Sequence, residues 1–135
     1  MHKIVICSAM MIDPDGDLLM VRKKGSYYFQ LPGGKIAVGE DDVTALFREL
    51  QEELEFDASG MPLQFIGQHL TQAVNEVATQ VEGHIYLIKL DAKFIFLPRA
   101  ELEEVQWIKK DNWQNYQLAH LAAEFVVPKW LSGDF

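Results

Sequence analysis

The stretch Leu31-Pro32-Gly33-Gly34-Lys35 constrains this chain more than any other. A proline fixes a bend, and two residues without side chains then let the backbone approach a neighbour or a ligand closely. Such a run reads as a rigid loop between regular elements rather than as part of one. Seven residues on, from Asp42 to Glu55, the pattern turns helical: Val43, Leu46, Phe47, Leu50 and Leu54 recur at three- and four-residue intervals. Asp41 or Asp42 is placed to cap that helix and to meet the positive end of its dipole. A bent glycine turn leading into an amphipathic helix is therefore the fixed point of the fold.

The polar face of this helix is acidic. With Glu49 as origin and about 100° per residue, Glu53 falls near +40° and Glu52 near −60°. The apolar set occupies the adjoining arc from about +60° to about +160°. One side packs on a core while its edge presents Glu49, Glu52 and Glu53. Arg48 and Glu52, four residues apart, could form an ordinary surface pair worth about 0.3–0.5 kcal/mol. Glu49 and Glu53, however, repel along the same edge unless a cation lies between them. Three carboxylates on one arc suit a hard divalent ion such as Mg²⁺ or Mn²⁺.

The rest of the chain supplies a frame. Residues 3–12 and 17–22 are apolar strand candidates joined by the turn Asp13-Pro14-Asp15-Gly16, which reads as a hairpin. Asp57 to Pro62 breaks the first helix, 63–74, 80–90 and 104–109 read as strands, and 116–126 reads as a second helix ended by Pro128. We find neither internal repeat nor linker, so residues 1–135 read as one α/β domain, a sheet flanked by helices.

Charge and cysteine usage exclude some functions. A net charge of −8 argues against unaided binding to a nucleic-acid polymer or an anionic membrane. A phosphorylated small molecule is compatible if a metal bridges it to the protein. Cys7 is the single cysteine, so no intrachain disulfide forms, and a reducing, cytoplasmic setting is expected. Within the apolar run Ile4–Ile12, Cys7 reads as a buried filler and not as a nucleophile.

The spacing Gly34, five residues, Glu40, seven residues, Arg48-Glu49-Leu50-Gln51-Glu52-Glu53-Leu54-Glu55-Phe56 resembles the signature of the Nudix hydrolases. The preceding Phe29-Gln30-Leu31-Pro32-Gly33-Gly34-Lys35 is similar to the family's approach to that signature. Glu55 departs from it, standing where glycine is expected, and Phe56 replaces a smaller aliphatic residue.

The resemblance implies an α/β/α sandwich with a mixed sheet, and a pyrophosphohydrolase that uses Mg²⁺ or Mn²⁺ to cut a phosphoanhydride in a nucleoside diphosphate-linked substrate. It implies Glu49, Glu52, Glu53 and the Gly33 carbonyl as metal ligands, with Glu49 activating water. Glu40 then assists from outside the ligand set, and Arg48 orients Glu49. Glu101 is the expected acid from outside the signature, with Glu104 as the other candidate. Arg22 is a candidate phosphate clamp, Tyr27 and Tyr28 are candidate contacts to a base, and Gly34 and Lys35 line the approach to substrate. The histidines show no ligand spacing. A (d)NTP, or an oxidised one such as 8-oxo-dGTP, is the first expectation. A nucleoside diphosphate sugar, a dinucleoside polyphosphate or a non-catalytic nucleotide-binding regulator are the alternatives. The resemblance also leans toward a homodimer.

Overall fold

A computed structural model describes residues 2–135. Strand β1 (His2–Ile12) is the spine of the molecule, and β6 (Thr79–Lys89) runs parallel to it in register from His2↔Thr79 to Ile12↔Lys89. Around this pair lie β2 (Leu18–Lys23), the two-residue β3 (Phe29–Gln30), β4 (Gly33–Lys35), β5 (Gln64–Gln72) and β7 (Leu102–Ile108). The sheet runs β3-β2-β1-β6-β5, with β7 antiparallel to β2 and β4 antiparallel to β1. The turn after β1 closes as a hairpin only at Ile12↔Leu18, because β2 then leaves β1 and pairs along its length with β7.

Side-chain alternation along β1 divides the core into two layers. Cys7, Ala9 and Met11 pack with Leu46, Leu50 and Leu54 of helix α1 (Asp42–Leu54). Met10 and Ile12 pack with Leu121, Val126, Val127 and Trp130 of the C-terminal helical segment. Helices therefore cover both faces of a mixed sheet, as the resemblance implies. Asp41 is the cap of α1, its carboxylate accepting from the Thr44 N–H at 2.8 Å.

Two expectations are corrected. Gly33–Lys35 is not a loop but a short strand, bonded to Ile6–Ser8 of β1. The glycines permit that pairing: a Cβ on Gly33 would stand 2.2 Å from the Cys7 carbonyl oxygen, and Gly33 has a φ of +142°. The second helix does not end at Pro128. A π turn over Ala122–Val126 continues into α2 (Val127–Ser132), with Pro128 in its first turn and Gly133 as its left-handed cap. Proline has no N–H for the ladder, and the wider turn before it breaks the regular i→i−4 register at the point where that donor is missing.

Candidate active site

Burial along the acid edge follows the helical wheel. Glu53, nearest the apolar arc, is 1% exposed; the Glu49 side chain is 13% exposed and that of Glu52, at the far side, 53%. Glu53 reaches from α1 to β4, where its Oε1 accepts the Gly33 N–H at 3.0 Å. Its other oxygen is buried with no hydrogen-bond partner. Burial pushes the Glu53 carboxyl up to about 8, with the neighbouring Glu49 charge adding to the rise against the Gly33 bond. Glu49 is raised too, chiefly by burial, although Arg48 opposes the shift.

Gly34 seats the Glu49 carboxylate. A Cβ at position 34 would lie 2.5–2.7 Å from all three carboxylate atoms of Glu49. Arg48 fixes the other side: Nη1 donates to Glu49 Oε1 at 2.9 Å, while Nε and Nη2 grip both oxygens of Glu40 at 2.8 and 2.9 Å. Nη2 also reaches the Lys35 carbonyl, at 3.1 Å. Glu40 accepts the Ala37 N–H at 2.8 Å, and Arg48 with that bond holds its carboxyl down to about 2. Glu40, Arg48 and Glu49 thus form a chain of charge-assisted bonds that ties the loop before α1 to the acid edge.

Glu52 lies 3.5 Å from Arg48 Nη1, the nitrogen that also donates to Glu49. The tight acidic triad among the described residues is elsewhere: Asp13, Asp15 and Asp17 offer oxygens within 4.8 Å of one another. Lys93 Nζ already lies 3.0, 3.5 and 2.6 Å from them, so an ammonium neutralises that turn.

The donors at Gly33–Gly34 fit a divalent cation. An orphaned, buried carboxylate oxygen on Glu53, a second half-buried carboxylate and an all-oxygen set are the chemistry that Mg²⁺ or Mn²⁺ requires. Glu101 is paired with Lys23 at 3.2 Å, and its charge is felt at Glu53.

A cleft of about 150 Å³ opens beside Gly34 and Lys35. Arg22, the expected phosphate clamp, is engaged elsewhere: Nε and Nη2 donate to Glu104 at 2.9 and 2.7 Å, and Nη1 to the Ser26 carbonyl at 2.8 Å. Lys23 lines the cleft instead, close enough to Glu49 and Glu53 for its charge to oppose in small part the rise that burial imposes on both. The pairing of β2 with β7 shifts register between Arg22 and Lys23, and such a bulge re-aims side chains. That long-range pairing has no local sequence signal. Tyr27 is 81% exposed, and neither it nor Tyr28 lines the cleft.

Comparison with known proteins now decides the lineage. The profile of the NUDIX domain matches residues 1–127. The chain belongs to the Nudix family. A Mycobacterium tuberculosis protein provisionally named 8-oxo-dGTP diphosphatase 2 is 30% identical over 91 residues, which is 62% of this chain and 63% of that protein. The match thus spans less than two thirds of that relative's length. The MutT protein of Methanosarcina mazei superposes with a TM-score of 0.77 at 17% identity, covering 98% of this chain and 96% of its own. The Escherichia coli dihydroneopterin triphosphate pyrophosphohydrolase gives 0.73 at 14% identity, covering 87% and 89%. At those identities the two structures attest the Nudix fold. Among the described residues of this Nudix chain, no helix is long and apolar enough to cross a membrane.

Proposed function

We propose that the chain is a divalent-metal-dependent pyrophosphohydrolase of nucleoside triphosphates, with an oxidised purine nucleotide such as 8-oxo-dGTP as its substrate. The observation that carries this reading is the Glu53 carboxylate, buried at the glycine turn with one oxygen unpartnered, beside a Glu49 held by Arg48. A buried polar atom calls for a partner; the other such oxygen among the described residues, on Asp13, has Lys93 at 3.0 Å, whereas the chain supplies none for Glu53. Family membership supports the reaction class, and the Mycobacterium relative supports the substrate.

Glu49, Glu52, Glu53 and the Gly33 carbonyl would hold Mg²⁺ or Mn²⁺. Such an ion neutralises a diphosphate, lowers the pKa of a bound water and stabilises the leaving phosphate. The chain's own groups do the rest. Arg48 keeps one Glu49 oxygen engaged and leaves the other to accept a proton from the attacking water. Glu40 holds Arg48 from the opposite side, so the base cannot rotate away. Lys23 and Lys35, lining the cleft, supply positive charge to the substrate phosphates. The subunit acts on a small nucleotide, and a homodimer is part of the proposal.

Turnover of a nucleotide panel with Mg²⁺, scored by pyrophosphate against phosphate release, tests the reading. Glu49→Gln is expected to lower kcat by 10²-fold or more, and Glu52→Gln by less, with the fold intact by circular dichroism. Full activity of both variants at saturating Mg²⁺ removes the mechanism.

A further inference from the structure

The segment between β6 and β7 carries Phe94-Ile95-Phe96-Leu97 in extended chain outside the sheet. Its side chains alternate as on a strand. Phe94 and Phe96 turn toward Phe56, each with its ring 5.7 Å from that ring. Trp107 holds the segment down, its indole N–H donating to the Phe94 carbonyl at 2.8 Å. Ile95 and Leu97 turn the other way and are 91% and 63% exposed. Polar residues belong on that outer row when water is its neighbour, and this chain places two large aliphatic ones there. Beside them, at the C-terminal end of α1, lies an open groove of about 320 Å³ lined by Leu54, Phe56 and the same four residues. It shares no lining residue with the cleft of the candidate active site.

Resting on the homodimer of the reading above, we infer that this face joins two copies of the chain, with Ile95 and Leu97 of each copy seated in the groove of the other. Three features select a second copy as the occupant. Groove and projecting side chains belong to one segment, so a single two-fold rotation fills both grooves at once, as a self-complementary interface requires. The rim carries both signs of charge: Arg99, 2.7 Å from Glu55, and Asp57 line the same groove. Arginine of one copy can therefore meet an acid of the other, whereas a chain of net charge −8 repels its like over an acidic surface. The area also suffices. At roughly 150–250 Å² for a large side chain, the exposed fractions of Phe94, Ile95 and Leu97 leave about 300–450 Å² of apolar surface per copy. Two copies with their charged rims then remove about 1,000 Å² from water, the least that a specific contact needs. An interface of that size dissociates on dilution, which makes it measurable.

Sedimentation velocity over a dilution series tests this on wild type, Ile95→Asp, Leu97→Asp, Arg99→Glu and Phe65→Asp, each checked for its fold by circular dichroism. Wild type should pass from dimer to monomer as it is diluted. Ile95→Asp and Leu97→Asp should each raise the dimer Kd by about 100-fold, because the symmetry places each substitution in the contact twice. Arg99→Glu should raise it by about tenfold. Phe65, an aromatic on β5 that is 53% exposed and lies outside the groove, is the control, and Phe65→Asp should leave Kd within about threefold. A dimer that persists unchanged in Ile95→Asp and Leu97→Asp overturns the inference and leaves the homodimer standing. Dissociation by Phe65→Asp and not by Ile95→Asp overturns it too, moving the contact to β5. A wild type that stays monomeric at every concentration removes both the face and the homodimer. These readings do not depend on turnover, so a chain without hydrolase activity would still decide the contact.

Discussion

At the scale of single residues, the proposed function and stability pull against each other at Glu53. A carboxyl with one oxygen bonded to Gly33 and the other buried without a partner is unfavourable when charged, which is why burial raises it. Glu53→Gln keeps the acceptor for Gly33 and removes the ionisable group. The metal-free variant should melt above metal-free wild type by about 3 °C or more in a thermal scan. Added Mn²⁺ should raise the wild-type Tm and leave that of the variant where it was. A lower Tm for the metal-free variant would mean that the carboxylate is satisfied by something other than a cation.

Glu55 shows the opposite case, a departure from the family signature that carries no chemistry. The helix still ends as though glycine were present: Glu55 adopts the left-handed conformation at φ 54°, and its N–H bonds the Gln51 carbonyl. A non-glycine residue there costs about 1–2 kcal/mol, and its exposed pair with Arg99 at 2.7 Å recovers only part of that. Glu55→Gly should therefore raise the urea midpoint by an amount equivalent to about 1 kcal/mol at unchanged slope, with kcat unaffected.

At the scale of elements, the site exists because β4 and α1 are locked together. Gly34→Ala would drive a Cβ into the Glu49 carboxylate, so activity should fall by about 10²-fold while far-UV circular dichroism persists. Gly33→Ala would collide with the Cys7 carbonyl, which cannot yield without breaking the β1–β4 pairing, so that variant should fail to fold. The acid edge and its cap were legible because both are local, set by one helical period and one short polar run. Strand β4 was not, since it exists only through its pairing with a distant β1. The continuation of the last helix past Pro128 was hidden for a similar reason. Local chemistry marks proline as a stop, and only packing of Val127 and Trp130 on the core draws the chain onward.

A second tie joins α1 to the sheet and carries a pH dependence. His84 on β6 bonds Asp42 at 2.9 Å and Glu82 at 2.7 Å, and Tyr86 Oη donates to Asp42 at 3.1 Å. Burial opposes a charged imidazole, but the two carboxylates outweigh it and raise His84 above its ordinary range. A folded pKa above the unfolded one gives stability that is full below the unfolded value and fades as pH rises through the folded one. His84→Gln should thus cost more stability at pH 6 than at pH 8.5. A gap in urea midpoint between wild type and variant that stayed constant, or widened with pH, would contradict the ion pair.

At the scale of the whole molecule, the proposed function asks a chain of net charge −8 to admit a polyanion. The charge is read from composition, and the acid helix offers the place where a cation would resolve the conflict locally. The sequence did not show that the long-range field stays unresolved, because only the fold decides which charges cancel. Lys93 and Lys109 are consumed by Asp13, Asp15 and Asp17, Arg22 by Glu104, Arg99 by Glu55 and Lys23 by Glu101, which among the described residues leaves Lys35 as the lysine of the cleft lining without an acidic partner. Encounter should then be slowed by repulsion at low salt, the reverse of a steered enzyme. The screening length shrinks from about 30 Å at 0.01 M to about 8 Å at 0.15 M, enough to hide the distant acids while sparing contacts inside the site. With the divalent ion saturating, kcat/KM should rise a few-fold across that range, and kcat should hold. A steady fall of kcat/KM with salt would show that the local lysines, and not the net charge, govern approach.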